Sequence, residues 1–232
     1  MNAVAWGHQS MLTAAGLDHQ DLPLPQRLAL NYAPSGTRPA TAALFTFDAR
    51  LGELVAKASE PLLGQLRLAW WRDELDKPVP ERVKGDPVLD ALGRTWAGEE
   101  AALVALVDGW EVLLGEALGR EMLEGFAQGR AGAFAALARL LNAGPLVESA
   151  SHSGSVWALA DFASRTSDPA ERDGAVSLAL GYGRNPAPRA RVLRPLAVLH
   201  GLALRSLAGG GAPLVSRRRD VIAAVRLGMF GR

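Results

Sequence analysis

The stretch "FTFDARLGELVAKASEPLLGQLRLAWWRDELD", Phe45–Asp76, decides the fold. Together with Leu44 just upstream, Phe47, Leu51, Leu54 and Val55 recur at spacings of about three and four, the pattern of one apolar stripe on a helix. Phe45, Asp48, Ala49 and Gly52 fall between them. Glu60-Pro61 then starts a second helix, because proline suits a first turn whose N–H would have no partner in any case. That helix is expected to run to Leu75.

The same pattern continues outward. Helices are expected at Asp86–Trp96, Glu99–Leu118, Arg120–Leu141, Ser155–Thr166, Asp168–Leu180, Pro188–Leu207 and Ser216–Met229. Asp86-Pro87 and Ser167-Asp168-Pro169 are start signals, a capping side chain followed by proline. No run of alternating β-branched residues bounded by turn signals is present. The expectation is an all-α bundle of about eight to ten helices. It is read as a single domain over residues 1–232, with 1–20 a candidate disordered stretch. Breaks fall at Lys77–Gly85, Asn142–Gly154, Gly183–Pro188 and Ala208–Pro213. The Ser-rich second and Gly-rich last are expected to be mobile loops.

The chain has 232 residues, 49% of them hydrophobic, enough apolar material for a sizeable core. Its 25 basic and 24 acidic residues nearly balance, so no overall field favours nucleic acid. Arginines nevertheless gather after Arg184, where Asp220 is the lone acid. Absence of cysteine excludes disulfides, thiolate metal sites and cysteine nucleophiles. His8, His19, His152 and His200 are scattered, with no pair at helical ligand spacing. Residues 1–20 lack a basic-then-apolar leader pattern, and no segment reaches the roughly 20 apolar residues of a spanning helix. A cytoplasmic protein is expected.

Carboxylates one helical turn apart share a face and together hold divalent cations. Asp48 and Glu53 are five apart, about 140° around a helix, a poor clamp. Asp73, Glu74 and Asp76 oppose the dipole at a helix end and read as a solvated terminus paired with Arg72 and Lys77. Trp70 and Trp71 cannot both face the core, so one is expected inside and one at an edge. Arg27, Arg38, Arg67 and Arg72 are candidates either to grip diphosphate oxygens or to cap carbonyls and pair with Asp48, Asp73 or Asp108. Arg217, Arg218 and Arg219 precede Val221, Ile222, Val225 and Leu227, a basic amphipathic pattern suited to a membrane surface or a partner.

The run "LNYAPSGTRPATAALFTFDARLGELVAKASEPLLGQLRLAWWRDEL", Leu30–Leu75, resembles the squalene/phytoene synthase family of head-to-head prenyl synthases. "DPVLDAL", "LVDGWEVLL" and "GRAGAFAALARLL" follow in the family's order, and "LRPLAVLHGLALRSL" looks like its closing helices. The resemblance implies one all-α domain of the isoprenoid synthase type around a central cavity. It also implies two aspartate-rich motifs on facing helices that bind Mg²⁺. Where the first should lie, Leu51–Ala56, only Glu53 is acidic; where the second should lie, near Trp157–Asp173, Asp161 and Asp168 are seven apart. Leu113 stands where active members tend to have an acid.

The chain is therefore similar to the family's divergent branch, whose best-known eukaryotic members assist respiratory complex I assembly. The expectation is a degenerate synthase-like protein that binds an isoprenoid or other lipid-like ligand or a protein partner. The alternative is an active prenyl transferase of squalene or phytoene biosynthesis. It would use Mg²⁺ held by Asp48, Glu53, Asp108 and Asp161, with Arg38, Arg67 and Arg72 binding diphosphate. A third reading is peripheral association with the inner membrane surface through Arg217, Arg218 and Arg219.

Overall fold

Arg38-Pro39 opens a helix at the centre of the molecule, because Pro39 supplies a first-turn residue without an N–H to satisfy. The computed structural model describes Leu17 and residues 21–115, 118–183 and 185–215. Among these residues it contains nine α-helices and no strand. They are α1 (Leu24–Leu30), α2 (Arg38–Ala56), α3 (Pro61–Asp76), α4 (Pro87–Thr95), α5 (Glu100–Glu111), α6 (Arg120–Leu140), α7 (Val147–Arg165), α8 (Pro169–Gly181) and α9 (Arg194–Ala208). The expected helix Ser216–Met229, with Arg217, Arg218 and Arg219, lies outside the described residues.

Helix α6 packs on α5 and α7, α7 also holds α8 and α9, and α2 is flanked by α3, α4, α5 and α6. Two of these crossings need glycine. A Cβ on Gly154 of α7 would lie 2.7 Å from the Arg130 carbonyl oxygen and 2.8 Å from the Ala131 Cα. A Cβ on Gly129 of α6 would meet the Ala105 carbonyl oxygen of α5 at 2.8 Å. Backbone in both places leaves no flexible atom to yield, so the helices approach through bare Cα atoms.

Local chemistry sets several helix starts as expected. Asp86 Oδ1 accepts from the Val88 and Leu89 amides at 2.9 and 3.0 Å, and Asp168 Oδ1 caps Ala170 and Glu171. Each cap contributes about 1 kcal/mol. Trp96, wholly buried at the end of α4, donates its indole N–H to the Ala40 carbonyl of α2 at 3.0 Å. Trp71 is buried against Phe47, centroids 5.0 Å apart, while Trp70 stays 38% exposed at the edge.

Several expectations need correction. The single stripe of α2 is too narrow: Phe45, Asp48 and Gly52 are buried as well as Leu44, Phe47 and Leu51, because neighbours surround the helix. The Ser-rich break 142–154 is mostly helix, with α7 starting at Val147. There Ser149 and Ser153 hydroxyls donate back to the Leu146 and Ser149 carbonyls, and Ser153 and Gly154 are buried at the α6 crossing. Helix α5 ends at Glu111 in a 3₁₀ turn, Val112–Leu114, rather than running to Leu118. The glycine run after α9 is hydrogen-bonded into the helix end: the Gly211 and Ala212 amides both donate to the Ser206 carbonyl, with Gly210 and Gly211 at φ 67° and 80°.

The acidic end of α3 is likewise not solvated throughout. Glu74 is buried and accepts from Lys77 Nζ at 2.6 Å and the Val83 amide at 2.8 Å. These bonds, Lys77 first, hold its carboxyl below the usual range. Buried Arg82 covers the last α3 carbonyls, donating to Leu75 and Lys77.

Candidate functional site

Helices α2, α6 and α7 meet at a buried row of charges. Arg130 on α6 is 2% exposed and stands between Asp48 of α2 and Asp161 of α7. Its Nε donates to Asp48 Oδ1 and its Nη1 to Asp161 Oδ2, both at 2.9 Å. Asp48 Oδ1 also accepts the Trp110 indole N–H at 2.9 Å. The Trp110 and Phe126 rings lie 4.7 and 4.9 Å from the Arg130 guanidinium carbon, so the cation is held by two π faces as well as two carboxylates. Burial alone would lower the Arg130 pKa, but Asp48 and then Asp161 carry it above the ordinary arginine value.

One helical turn beyond Asp161, Arg165 completes the row. Its Nε lies 2.8 Å from Asp161 Oδ1, an ion contact without hydrogen-bond alignment, and its side chain is 51% exposed. Asp161 Oδ1 therefore accepts no hydrogen bond among the described residues although the residue is 1% exposed. Charges alternate Asp48, Arg130, Asp161, Arg165, and sum to zero.

An apolar cavity of about 240 Å³ borders this row. Its walls are Gly52, Val55, Ala56, Trp110, Leu113, Leu118, Phe126 and Phe162, with Asp161, Arg165 and Thr166 as its polar part. A smaller hollow of about 100 Å³ shares Gly52, Ala56, Trp110 and Arg165 with it and reaches Asp48, Glu53, Arg130 and Gln26. Gly52 is required where the two meet, since a Cβ there would lie 2.9 Å from the Trp110 ring.

The four carboxylates considered as a metal set do not gather. Asp48 and Asp161 converge, but on Arg130 rather than on each other. Glu53 is 58% exposed and pairs with Lys57 at 3.0 Å. Asp108, 56% exposed, pairs with Arg72, which also meets Glu111. No group of three or more histidine, aspartate or glutamate side chains among the described residues is placed to hold a metal ion.

The arginines considered for diphosphate are equally dispersed. Arg38 donates to the Asn31 carbonyl at 3.4 Å. Arg72 is engaged by Asp108 and Glu111. Arg67 borders a separate cleft of about 230 Å³ with Arg50, Leu54, Trp70, Trp71 and Asp86. The pairing of Arg72 with Asp108 and the carbonyl cap by Arg38 were both legible alternatives in the sequence.

Arg130 was missed. "GRAGAF" reads as an ordinary helix segment, and the one available signal was a charge set among small and apolar residues where α6 should be buried on several sides. Among the described residues no helix is long and apolar enough to cross a membrane.

Compared with known protein families, the chain fits the family model for squalene/phytoene synthase over residues 27–181. No curated protein and no solved structure matches the chain.

Proposed function

The chain belongs to the squalene/phytoene synthase family and has its all-α isoprenoid synthase fold, and from that premise we propose that it binds an apolar ligand without ionising a prenyl diphosphate. The observation that carries this reading is the position of Arg130. Magnesium needs open carboxylate oxygens and few competing cations. Here the two carboxylates that converge from α2 and α7 are bridged by a fixed guanidinium at 2.9 Å on each side. A divalent ion placed there would meet that cation at short range in a poorly solvated interior, where like-charge repulsion is strong.

The magnitude supports the same conclusion. Metal ions supply several kcal/mol of stabilisation to a departing diphosphate, and each 1.36 kcal/mol is about tenfold in rate. One guanidinium already neutralised by two carboxylates contributes little of that. What the three helices offer is an apolar chamber beside a charge-balanced wall, a setting for a lipid-like molecule.

The direct test is incubation with Mg²⁺ and farnesyl or geranylgeranyl diphosphate. Diphosphate release at the protein-free background is expected. Turnover on the order of 1 s⁻¹, ordinary for an enzyme, would refute the reading.

A contact function has its own support. Leu62, Leu66 and Trp70 follow one another at spacings of four along α3, exposed by 64%, 59% and 38%, with Leu63 beside them. Such a row supports a contact with a membrane or another protein. Vesicle co-sedimentation that is lost in the double variant Leu62→Glu, Leu66→Glu would support a membrane contact; co-sedimentation unchanged by it would remove this reading.

A further inference from the structure

The exposed row on α3 runs into a charged cleft. Arg50 and Leu54 of α2, Arg67, Trp70 and Trp71 of α3, and Asp86 before α4 enclose about 230 Å³ there. None of these residues borders the chamber beside Arg130, so the two hollows are separate. Trp70 belongs to both surface features: it closes the row of Leu62 and Leu66 and walls the cleft. Arg67 is exposed and has no hydrogen bond or ion pair among the described residues. Arg50 is exposed too, and its Nη2 reaches Asp86 Oδ2 only at 3.5 Å. The other Asp86 oxygen is committed to capping the Val88 and Leu89 amides. Two guanidiniums and one carboxylate leave the cleft with an excess positive charge beside an apolar ridge.

Resting on the contact role of α3 proposed above, we infer that this cleft takes the phosphate of an anionic phospholipid while Leu62, Leu66 and Trp70 enter the apolar edge of the bilayer. Guanidinium groups grip phosphate oxygens through paired N–H donors. Tryptophan settles where an apolar layer meets a polar one. A soluble anion would use the arginines but leave the leucines in water. A purely apolar partner would cover the leucines but leave Arg67 without an acceptor. A phospholipid supplies the acceptor and the apolar layer side by side, in the order in which the cleft and the row present their counterparts. Exposed Glu60 and Asp73 stand at the two ends of the row and bound the contact, because anionic headgroups repel them.

The test is co-sedimentation of the full chain, at low salt, with vesicles of phosphatidylcholine alone and of phosphatidylcholine mixed with phosphatidylglycerol. Tighter binding to the mixed vesicles is expected. Arg67→Gln is expected to weaken that binding about fivefold, the effect of one arginine at an anionic surface. Asp73→Asn is expected to strengthen it. Arg139→Gln, which removes a cation of α6 outside the cleft, is expected to match the parent. Inorganic phosphate at the concentration of the lipid phosphate is expected to displace nothing. Equal binding to the two vesicles, Arg67→Gln matching the parent, or an equal loss in Arg139→Gln overturns the inference. Displacement by inorganic phosphate also overturns it, by assigning the cleft to a free anion. No binding to either vesicle sinks it together with membrane contact through α3. Loss of binding in the double variant Leu62→Glu, Leu66→Glu without any effect of Arg67→Gln leaves that contact standing and removes the headgroup from the cleft.

Discussion

Arg130 Nε lies 2.9 Å from Asp48 Oδ1 although 82 positions separate the two residues, and this bond ties α6 to α2 inside the bundle. Its partner bond to Asp161 ties α6 to α7. The pair of bonds links the three helices beside the cavity. Both carboxylates and the guanidinium are nearly inaccessible, so removing Arg130 leaves Asp48 buried without a cation and Asp161 with Arg165 alone.

Arg130→Met is therefore expected to cost about 3–5 kcal/mol of unfolding free energy, the usual penalty for breaking a buried pair on one side. The triple variant Asp48→Asn, Arg130→Met, Asp161→Asn is expected to recover most of that loss, because no uncompensated charge stays buried. Urea unfolding followed by circular dichroism reads both. A single variant within about 1 kcal/mol of the parent would show that the bridge is energetically idle.

Surface pairs should behave differently. Asp108 is more than half exposed and pairs with Arg72 at the edge of α3 and α5. Asp108→Ala is expected to change stability by under about 1 kcal/mol, the range of exposed ion pairs. A change of about 3 kcal/mol or more in the same urea assay would mean that Asp108 belongs to a tighter network than its exposure indicates.

Gly154 gives a steric prediction. The backbone of α6 stands 2.7–2.8 Å from where its Cβ would be, and backbone cannot rotate away. Gly154→Ala is expected to force α6 and α7 apart at a cost of about 1–3 kcal/mol, the range for overpacking a close interior contact. Gly132, with nothing within 4 Å of the position a Cβ would take, is the control: Gly132→Ala should be neutral or slightly stabilising in a helix. Equal melting temperatures for the two variants would contradict the close crossing.

Much of this fold was legible from spacing and caps. Asp86-Pro87 and Asp168-Pro169 start helices where their side chains predict, and Trp70-Trp71 divide between edge and core. Residues 147–154 were not legible, because serine and glycine signal a loop locally, and only the α6 backbone beside Gly154 shows why small residues belong in a helix there. For the site, Asp48 and Asp161 were identifiable as carboxylates, but their partner was not. Spacing within one helix says nothing about a cation arriving from a third helix, and the small and apolar neighbours of Arg130 mark it as buried without naming its partners.

His200 on α9 is 3% exposed, its Nδ1 has no partner among the described residues, and its ring centroid lies 5.7 Å from that of His152 on α7. Burial, followed by the charge of His152, pushes the His200 pKa down to about 4. Burial also lowers His152, whose Nδ1 is 3.5 Å from Asn185 Nδ2. A histidine with a depressed folded pKa is held neutral by the fold, so protonation favours the unfolded chain. The stability it permits is full above the unfolded value near 6.5 and is lost as pH falls toward 4. For His200 the loss across that window is about 3 kcal/mol, at about 1.36 kcal/mol per pH unit. Urea midpoints measured at about pH 7, 6, 5 and 4.5 should fall for the parent and fall less steeply for His200→Leu, since carboxylate titration is common to both. Parallel curves would show that His200 is protonated as readily in the fold as outside it.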